Sequence, residues 1–316
     1  MSKTTVLYIH VTGISSEVLK NLVLAGIKPA LCDTRRVSDH ATYLKETPSF
    51  FWANPEAASK KVKRGDDTLT IAELVQPVAE ELNPLLGECP IVAQSIDELT
   101  PDILKQFSVV VASHILPAQM WKLQEKVQKG TKLLWVDSFG MHAACWTDLG
   151  SGHSYRPEKG KELLDPVTLD PYFTLQQMYQ VPLHLAVNRF HKQAPPPSLV
   201  KHKLLLAYVD HLKEWPLTID PADFTKFIRG TWLPETSPSL LDNPLVAPDE
   251  LASLAAQAAA ELIPVCSVLG GMVGNEVIKA ISGKGTPANN TVLFDGTLCK
   301  GWVFLLRESP KKLSSI

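Results

Sequence analysis

Apolar positions along this chain recur in two alternating rhythms. Thr5 to Ile9 is a short apolar run, and after Gly13 the apolar residues return at helical spacing through Leu24. Gly26 stops that helix and Lys28 to Cys32 reads as a second strand, a strand–helix–strand opening of the Rossmann kind. Leu69 to Leu82 is again helical and ends at Asn83-Pro84, because the residue before a proline is pushed out of the helical region. Pro90 to Ala93 then reads as a strand, Pro101 to Lys105 as a helix and Phe107 to Ala112 as a fully buried strand. Pro117 to Gln128 follows as a helix and Lys132 to Val136 as a further strand. Strands and helices in alternation predict an α/β fold, Rossmann-like, with a mostly parallel sheet covered on both faces.

After Asp137 the texture changes. Phe139 to Leu149 and Tyr155 suggest antiparallel strands around the turn Gly150-Ser151-Gly152. Glu158 to about Asp249 is proline-rich and only partly periodic, with helical pieces at Leu169–Gln180 and Leu199–Lys213. This stretch reads as a largely helical insertion, with Pro195-Pro-Pro197 as its clearest linker, and Trp52 to Asp67 reads as a polar surface loop. The Ala-rich segment Pro248 to Leu262 reads as a helix feeding the C-terminal region. The expected division is therefore a first part over 1–157, the insertion over 158–247 and a closing part over 248–316. No short-period repeat is present.

The closing part holds the most informative stretch, Pro264 to Gly296. Val265, Val268, Leu269, Met272, Val273, Ile278 and Ile281 recur at helical spacing, with Asn275, Glu276 and Lys279 toward the other side. Gly270, Gly271 and Gly274 are costly inside a helix, and a closely approaching backbone is the simplest way to recover that cost. Gly283 and Gly285 end the helix, Asn289-Asn290 turns the chain, and Thr291 to Phe294 reads as a strand.

Composition narrows the function classes. A chain of 316 residues holds one large domain or two smaller ones, and 45% hydrophobic with 20% charged residues is ordinary for a soluble globular protein. A net charge of −2 removes any bulk electrostatic case for nucleic-acid or membrane binding. No apolar run reaches a membrane-spanning length, and the N-terminus lacks a signal-peptide pattern. Cys32, Cys89, Cys145, Cys266 and Cys299 are scattered singly, which fits a reduced intracellular compartment without structural zinc. His142, His153 and His184 lack metal-ligand spacing, so no metal site is expected. Lys60-Lys-Val-Lys-Arg64 reads as a solvated basic loop.

Several ordered motifs point further. Pro264-Val-Cys, the Gly270-Gly271 pair, Glu276-Val-Ile-Lys-Ala280, Ser282-Gly-Lys-Gly285 and Asn289-Asn290 together resemble the C-terminal signature of the adenylation-fold subunits that activate ubiquitin-like proteins. Within that family the match is greatest to the small regulatory subunits of SUMO-activating enzymes. Gly13 to Ile27 resembles the family's first helix, Ala72 to Pro84 the helix with its Asn-Pro ending, and Asp137 to His142 with Asp148-Leu-Gly150 the strands after the core sheet. The segment from about Glu158 to Leu245 has no evident counterpart.

The resemblance implies a division of labour. ATP-binding members cradle phosphates on a Gly-x-Gly-Gly-x-Gly turn at a helix N-terminus. Here the turn is His10-Val-Thr-Gly-Ile-Ser15, in which only Gly13 survives and His10 would crowd the approach. Asp33 is the obvious acid for a ribose, although alignment through Val37-Ser38 puts Leu31 at that position. The segment that supplies asparagine and arginine to the triphosphate corresponds to Asp39 to Leu44, and the expected magnesium-binding aspartate falls in Ser113 to Pro117, which has no carboxylate. Gly13 and Asp33 are thus candidate remnants of a cofactor site. ATP and magnesium are expected on a catalytic partner subunit, with no catalytic residue on this chain.

Gly270, Gly271, Gly274, Glu276 and Lys279 become candidate interface residues toward that partner, the catalytic subunit of a SUMO-activating enzyme, with SUMO engaged through the complex. Cys32, Cys145 and Cys266 read as small buried residues rather than thioester-forming nucleophiles. The family's N-terminal helix, Tyr-Asp-Arg-Gln-x-Arg-Leu-Trp-Gly, whose arginine reaches the partner's ATP, is not matched by Met1 to Thr4. Nucleus and cytoplasm are the expected compartments. Two alternatives remain open, the regulatory subunit of a neddylation-type activating enzyme and a stand-alone Rossmann enzyme. The first is weakened by the longer insertion such chains carry, and the second by the missing glycine turn.

Overall fold

The computed structural model describes residues 4–52, 68–169, 173–183, 196–258, 260–288 and 290–306. The basic run Lys60–Arg64, His184, Pro195 and Asn289 lie outside the described residues, as does most of the 52–67 loop. At the centre, β1 (Thr5–Ile9) lies between β2 (Lys28–Cys32) and β3 (Val109–Ala112), with β4 (Lys132–Phe139) beyond β3. These four strands are parallel. They are buried almost throughout, the reason the sequence shows them as continuous apolar runs rather than alternating ones. β5 (His142–Asp148), β10 (Thr291–Asp295) and β11 (Lys300–Phe304) extend the sheet antiparallel, giving seven strands in the order β11-β10-β5-β4-β3-β1-β2.

Helices cover both faces. One face carries α1 (Gly13–Leu24), α2 (Ala41–Glu46), α3 (Ile71–Leu82) and the long α11 (Ile263–Ser282), whose side chains join Val6, Tyr8, Val111 and Val136 in one apolar core. Between α3 and β3 lies the single turn α4 (Pro101–Leu104). The other face carries α5 (Pro117–Lys126), α6 (Leu175–Gln180), α7 (Pro197–Leu212), α8 (Pro221–Phe227), the short α9 (Leu233–Thr236) and α10 (Pro248–Ala258), packed on Leu7, Val110, Trp135 and Trp146. Between β5 and β10 the described residues add no strand to this sheet. The strands they do form are the small pairs β6 (Ser154–Tyr155) with β9 (Val167–Thr168) and β7 (Glu158–Lys159) with β8 (Glu162–Leu163).

The structure corrects several sequence expectations. Pro90 to Ala93 is not a strand. Leu31 donates to the Pro90 carbonyl at 2.9 Å and accepts from Val92 at 2.7 Å, and the pairing stops at that one bridge because Pro90 has no N–H to offer. The hairpin after the parallel strands turns at Gly140-Met141 rather than at Gly150, since β4 runs on to Phe139. Pro196 and Pro197 are not linker: they start α7, where proline at the first turn loses no helical hydrogen bond. The Ala-rich helix stops at Ala258 rather than Leu262. The 20 residues of α11 are also long and apolar enough to cross a membrane by length and composition alone, contrary to the sequence reading. Val265, Leu269, Val273 and Val277 on that helix are packed in the protein core.

Candidate functional site

The C-terminal ends of the parallel strands converge on the N-terminus of α1. Thr12 caps that helix and forms a reciprocal pair with Ser15, while its hydroxyl lies 2.7 Å from that of Ser113 after β3. The next two backbone N–H groups point at a side chain distant in sequence. Gly13 donates to Glu261 Oε2 at 2.7 Å and Ile14 donates to Glu261 Oε1 at 3.0 Å. The Tyr43 hydroxyl, delivered by α2, accepts from the Gly13 N–H at 3.0 Å and donates to Glu261 Oε2. The positive end of the α1 dipole thus faces a carboxylate from within the chain.

Backbone geometry explains how Glu261 arrives. Where α10 ends, the chain runs past the β4–β5 turn, and the Gly140 N–H donates to the Ala260 carbonyl at 2.7 Å. Gly140 has φ +53, and a Cβ there would lie 2.1 Å from the Gln257 carbonyl oxygen, so no other residue admits this approach. Glu261 is 4% exposed. Burial pushes its carboxyl up, opposed by the hydrogen bonds from Tyr43, Ile14 and Gly13 and by Arg35, and the net position is above the usual range. The three groups bonded to its oxygens donate, the arrangement that suits an ionised carboxylate.

Asp33, at the end of β2, is fully engaged. It accepts the Val11 N–H at 2.7 Å, and Arg35 meets both its oxygens, Nε to Oδ1 at 2.9 Å and Nη2 to Oδ2 at 2.7 Å. Burial pushes its carboxyl up, but the Arg35 guanidinium and these hydrogen bonds outweigh it and hold it below the usual range. Arg35 in turn reaches the Val11 carbonyl at 3.4 Å.

The third wall is aromatic. His114, just after β3, stacks on Trp215 at a ring separation of 4.2 Å, and Trp215 stacks on Phe139 at 5.2 Å. His114 Nε2 lies 3.7 Å from Glu261 Oε2 and has no hydrogen-bond partner among the described residues. Burial, then Arg35, hold this imidazole well below its usual range, so it is neutral and makes no ion pair with Glu261. Its backbone N–H donates to Asp137 Oδ1 at 2.8 Å, and burial pushes the Asp137 carboxyl well up. His10 keeps a left-handed backbone, φ 59, at the turn where a glycine was expected, and burial together with Arg35 pushes its imidazole down to about 4.

Of the residues singled out from the sequence, Gly13 and Asp33 therefore both stand at this strand edge, each bonded to a partner within the chain. The remaining five lie on α11, on the side facing α1 or solvent. A Cβ on Gly270 would meet the Glu17 Cβ at 2.7 Å and one on Gly274 the Asn21 Cβ at 3.3 Å, whereas Gly271 faces open space. Glu276 pairs with Lys279 at 2.6 Å and accepts the Ala288 N–H at 2.6 Å, fixing the turn after the helix. Cys32, Cys145 and Cys266 are buried; burial pushes the first two up to about 12 and Cys266 well up. No group of histidine, cysteine and acidic side chains among the described residues could hold a metal ion.

Sequence reasoning missed Glu261, Tyr43, Arg35, His114 and Trp215. Glu261 carries no local signal, being a lone acid after an alanine run, and only its place beside Gly13 in three dimensions reveals it. The Asp33-x-Arg35 spacing was a readable sign of a bidentate pair at the end of a strand.

No family model matches the chain. Curated relatives do. The chain is 25% identical to SUMO-activating enzyme subunit 1 of Xenopus tropicalis, over 94% of this chain and 88% of that protein. Subunit 1 of the human enzyme is 24% identical over 94% and 87%, and subunit 1B-1 of Arabidopsis thaliana is 26% identical over 95% and 88%.

Proposed function

As a member of the family of SUMO-activating enzyme small subunits, this chain, we propose, is the non-catalytic half of a heterodimer whose other half binds ATP and carries the chemistry. The observation that carries this reading is the occupancy of the α1 N-terminus. In an adenylating member of the family those N–H groups would face phosphate; here Glu261 takes them, Arg35 takes Asp33, and Trp215 stacks over His114. ATP and magnesium then belong to the partner, which adenylates the SUMO C-terminus and forms the thioester. In this reading 1–157 and 248–316 make up the adenylation domain, 158–247 is an insertion, and the complex works in nucleus and cytoplasm.

The surface assigned to the partner is the outer side of α11. Pro264, Val268, Gly271 and Asn275 follow one another at helical spacing and are all exposed, Val268 to 45%. A Cβ on Gly301 of β11 would stand 3.3 Å from the Met272 Cε, so Val303, two residues on and 55% exposed, points to the same side of the sheet. Exposed apolar side chains on one face suit a partner of similar character. Gly270 and Gly274 lie behind this face and set the depth of α11 against α1.

The test is co-purification with a catalytic subunit followed by SUMO-dependent ATP–pyrophosphate exchange. A stable pair that exchanges only when both chains are present supports the reading. Exchange by this chain alone, or failure to pair, overturns it.

A further inference from the structure

Glu261 is buried, far in sequence from the groups it meets, and bonded to donors on both oxygens. We propose that the first turn of α1 is a carboxylate-binding site that this chain fills with its own Glu261, a tethered anion in the place an external one would take. The site is built from both sides. On the receiving side stand the N–H groups of Gly13 and Ile14, the Tyr43 hydroxyl and the unpartnered Nε2 of buried His114. Gly13 also supplies the room: a Cβ there would lie 3.0 Å from Glu261 Oε2 and 2.7 Å from Thr47. On the donating side, the hydrogen bond between Gly140 and Ala260 fixes the segment that carries the acid, at a point where only glycine fits.

A buried helix N-terminus needs an acceptor for its free N–H groups, and a carboxylate placed there gains from the helix dipole as well. Glu261 does both from a covalent tether, so it meets no translational cost of binding.

The experiment uses the full chain and its thermal midpoint. Glu261→Ala empties the site and leaves two backbone donors and a tyrosine without their acceptor, lowering the midpoint by roughly 5–10 °C. Formate or acetate, small enough for the vacated space, then raises the midpoint of the alanine variant in a concentration-dependent way, because a ligand that binds only the folded form stabilises it. The parent protein shows no such response beyond that to sodium chloride. Glu261→Gln, of equal size, also lowers the midpoint, since its amide turns a donor toward a donor.

Three results would overturn the proposal. One is a glutamine variant as stable as the parent, which would show that shape and not the carboxylate matters. Another is a folded alanine variant indifferent to formate and acetate. The third is rescue by inorganic phosphate alone, which would make the site one for phosphate instead of carboxylate. If the alanine variant does not fold, the glutamine variant decides.

Discussion

Gly270 and Gly271 are neighbours on one helix, yet the structure assigns them opposite responses to the same substitution. Alanine in a helix interior is favoured over glycine by about 1 kcal/mol, whichever of the two positions is changed. At Gly271 nothing lies within 4 Å of the added Cβ, so the isolated chain keeps that gain. At Gly270 the Cβ would stand 2.7 Å from the Glu17 Cβ and 3.2 Å from the Glu17 carbonyl carbon and the Val18 nitrogen. Those are backbone-fixed atoms that no rotamer can move. Glu17 is further held by Lys20 at 2.6 Å and by the Ser267 hydroxyl at 2.9 Å. Relief therefore requires α1 and α11 to separate. Overpacking of this kind costs about 1–3 kcal/mol, here near the upper end because backbone meets backbone.

Net of the helical gain, Gly270→Ala loses about 1–2 kcal/mol while Gly271→Ala gains up to about 1 kcal/mol. Gly274→Ala, with a 3.3 Å approach to Asn21, falls between them. Urea unfolding of the isolated chain reads the difference as a shift in midpoint at constant slope. In heat, each kcal/mol corresponds to roughly 1.5 °C for a chain of 316 residues. A Gly270 variant as stable as the Gly271 variant would refute the close crossing of α1 and α11.

Three further outcomes follow from the same coordinates. Asp33→Asn strands the Arg35 guanidinium, whose side chain is only 18% exposed, and costs about 3 kcal/mol. Because the Asp33 carboxyl is held below its usual range, its contribution is fully present above about pH 4 and is lost as pH falls through the lower folded value. The variant should therefore show a shallower acid limb in a stability–pH profile, and an unchanged limb would refute the ion pair. Lys203, 2% exposed, donates to the Met178 and Val181 carbonyls, and burial pushes its amine down to about 7. Between about pH 7 and 10 the unfolded chain binds more protons than the folded one, so this group makes stability rise with pH; Lys203→Met should remove that slope, read from unfolding midpoints across the range. Val268→Asp, on the exposed side of α11, should leave the isolated chain within about 0.5 kcal/mol of the parent. It should weaken pairing with a catalytic subunit at least about tenfold by titration, and unaltered affinity would remove Val268 from the interface.

What the sequence disclosed follows from how local each signal is. The parallel strands and α1, α3 and α11 declare themselves through unbroken apolar runs and periodicity, because burial on both faces or on one stripe leaves a pattern within a few residues. The expected strand at Pro90 failed for a reason also local, a missing donor, but one outweighed in the reading by the apolar Ile91-Val92 pair. The end of α10 at Ala258 was harder. Propensity favours helix through the alanine run, and it is the contact with Gly140 of the β4–β5 turn, bonded to the Ala260 carbonyl and bridged to Glu261, that takes the chain out of the helix. Gly13 and Asp33 stood out in the sequence because helix starts and strand ends carry characteristic residues. Their partners did not, since Glu261 reaches Gly13 across 248 positions.

That distance bears on why the fold keeps its shape at an edge whose His10–Ser15 turn has a single glycine. The first turn of a helix presents free N–H groups whether or not a ligand comes, and burying them without an acceptor is costly. In a nucleotide-binding relative the acceptor would be phosphate, present only in the bound state. Glu261 makes the acceptor permanent from a position two residues before α11, the helix that crosses α1 at Gly270 and bears the exposed Val268 face. The N-terminus of α1 and the start of the proposed docking helix are thus joined by one carboxylate. In the proposed reading, an edge that no longer has to open for a ligand braces the surface a partner needs to find in place.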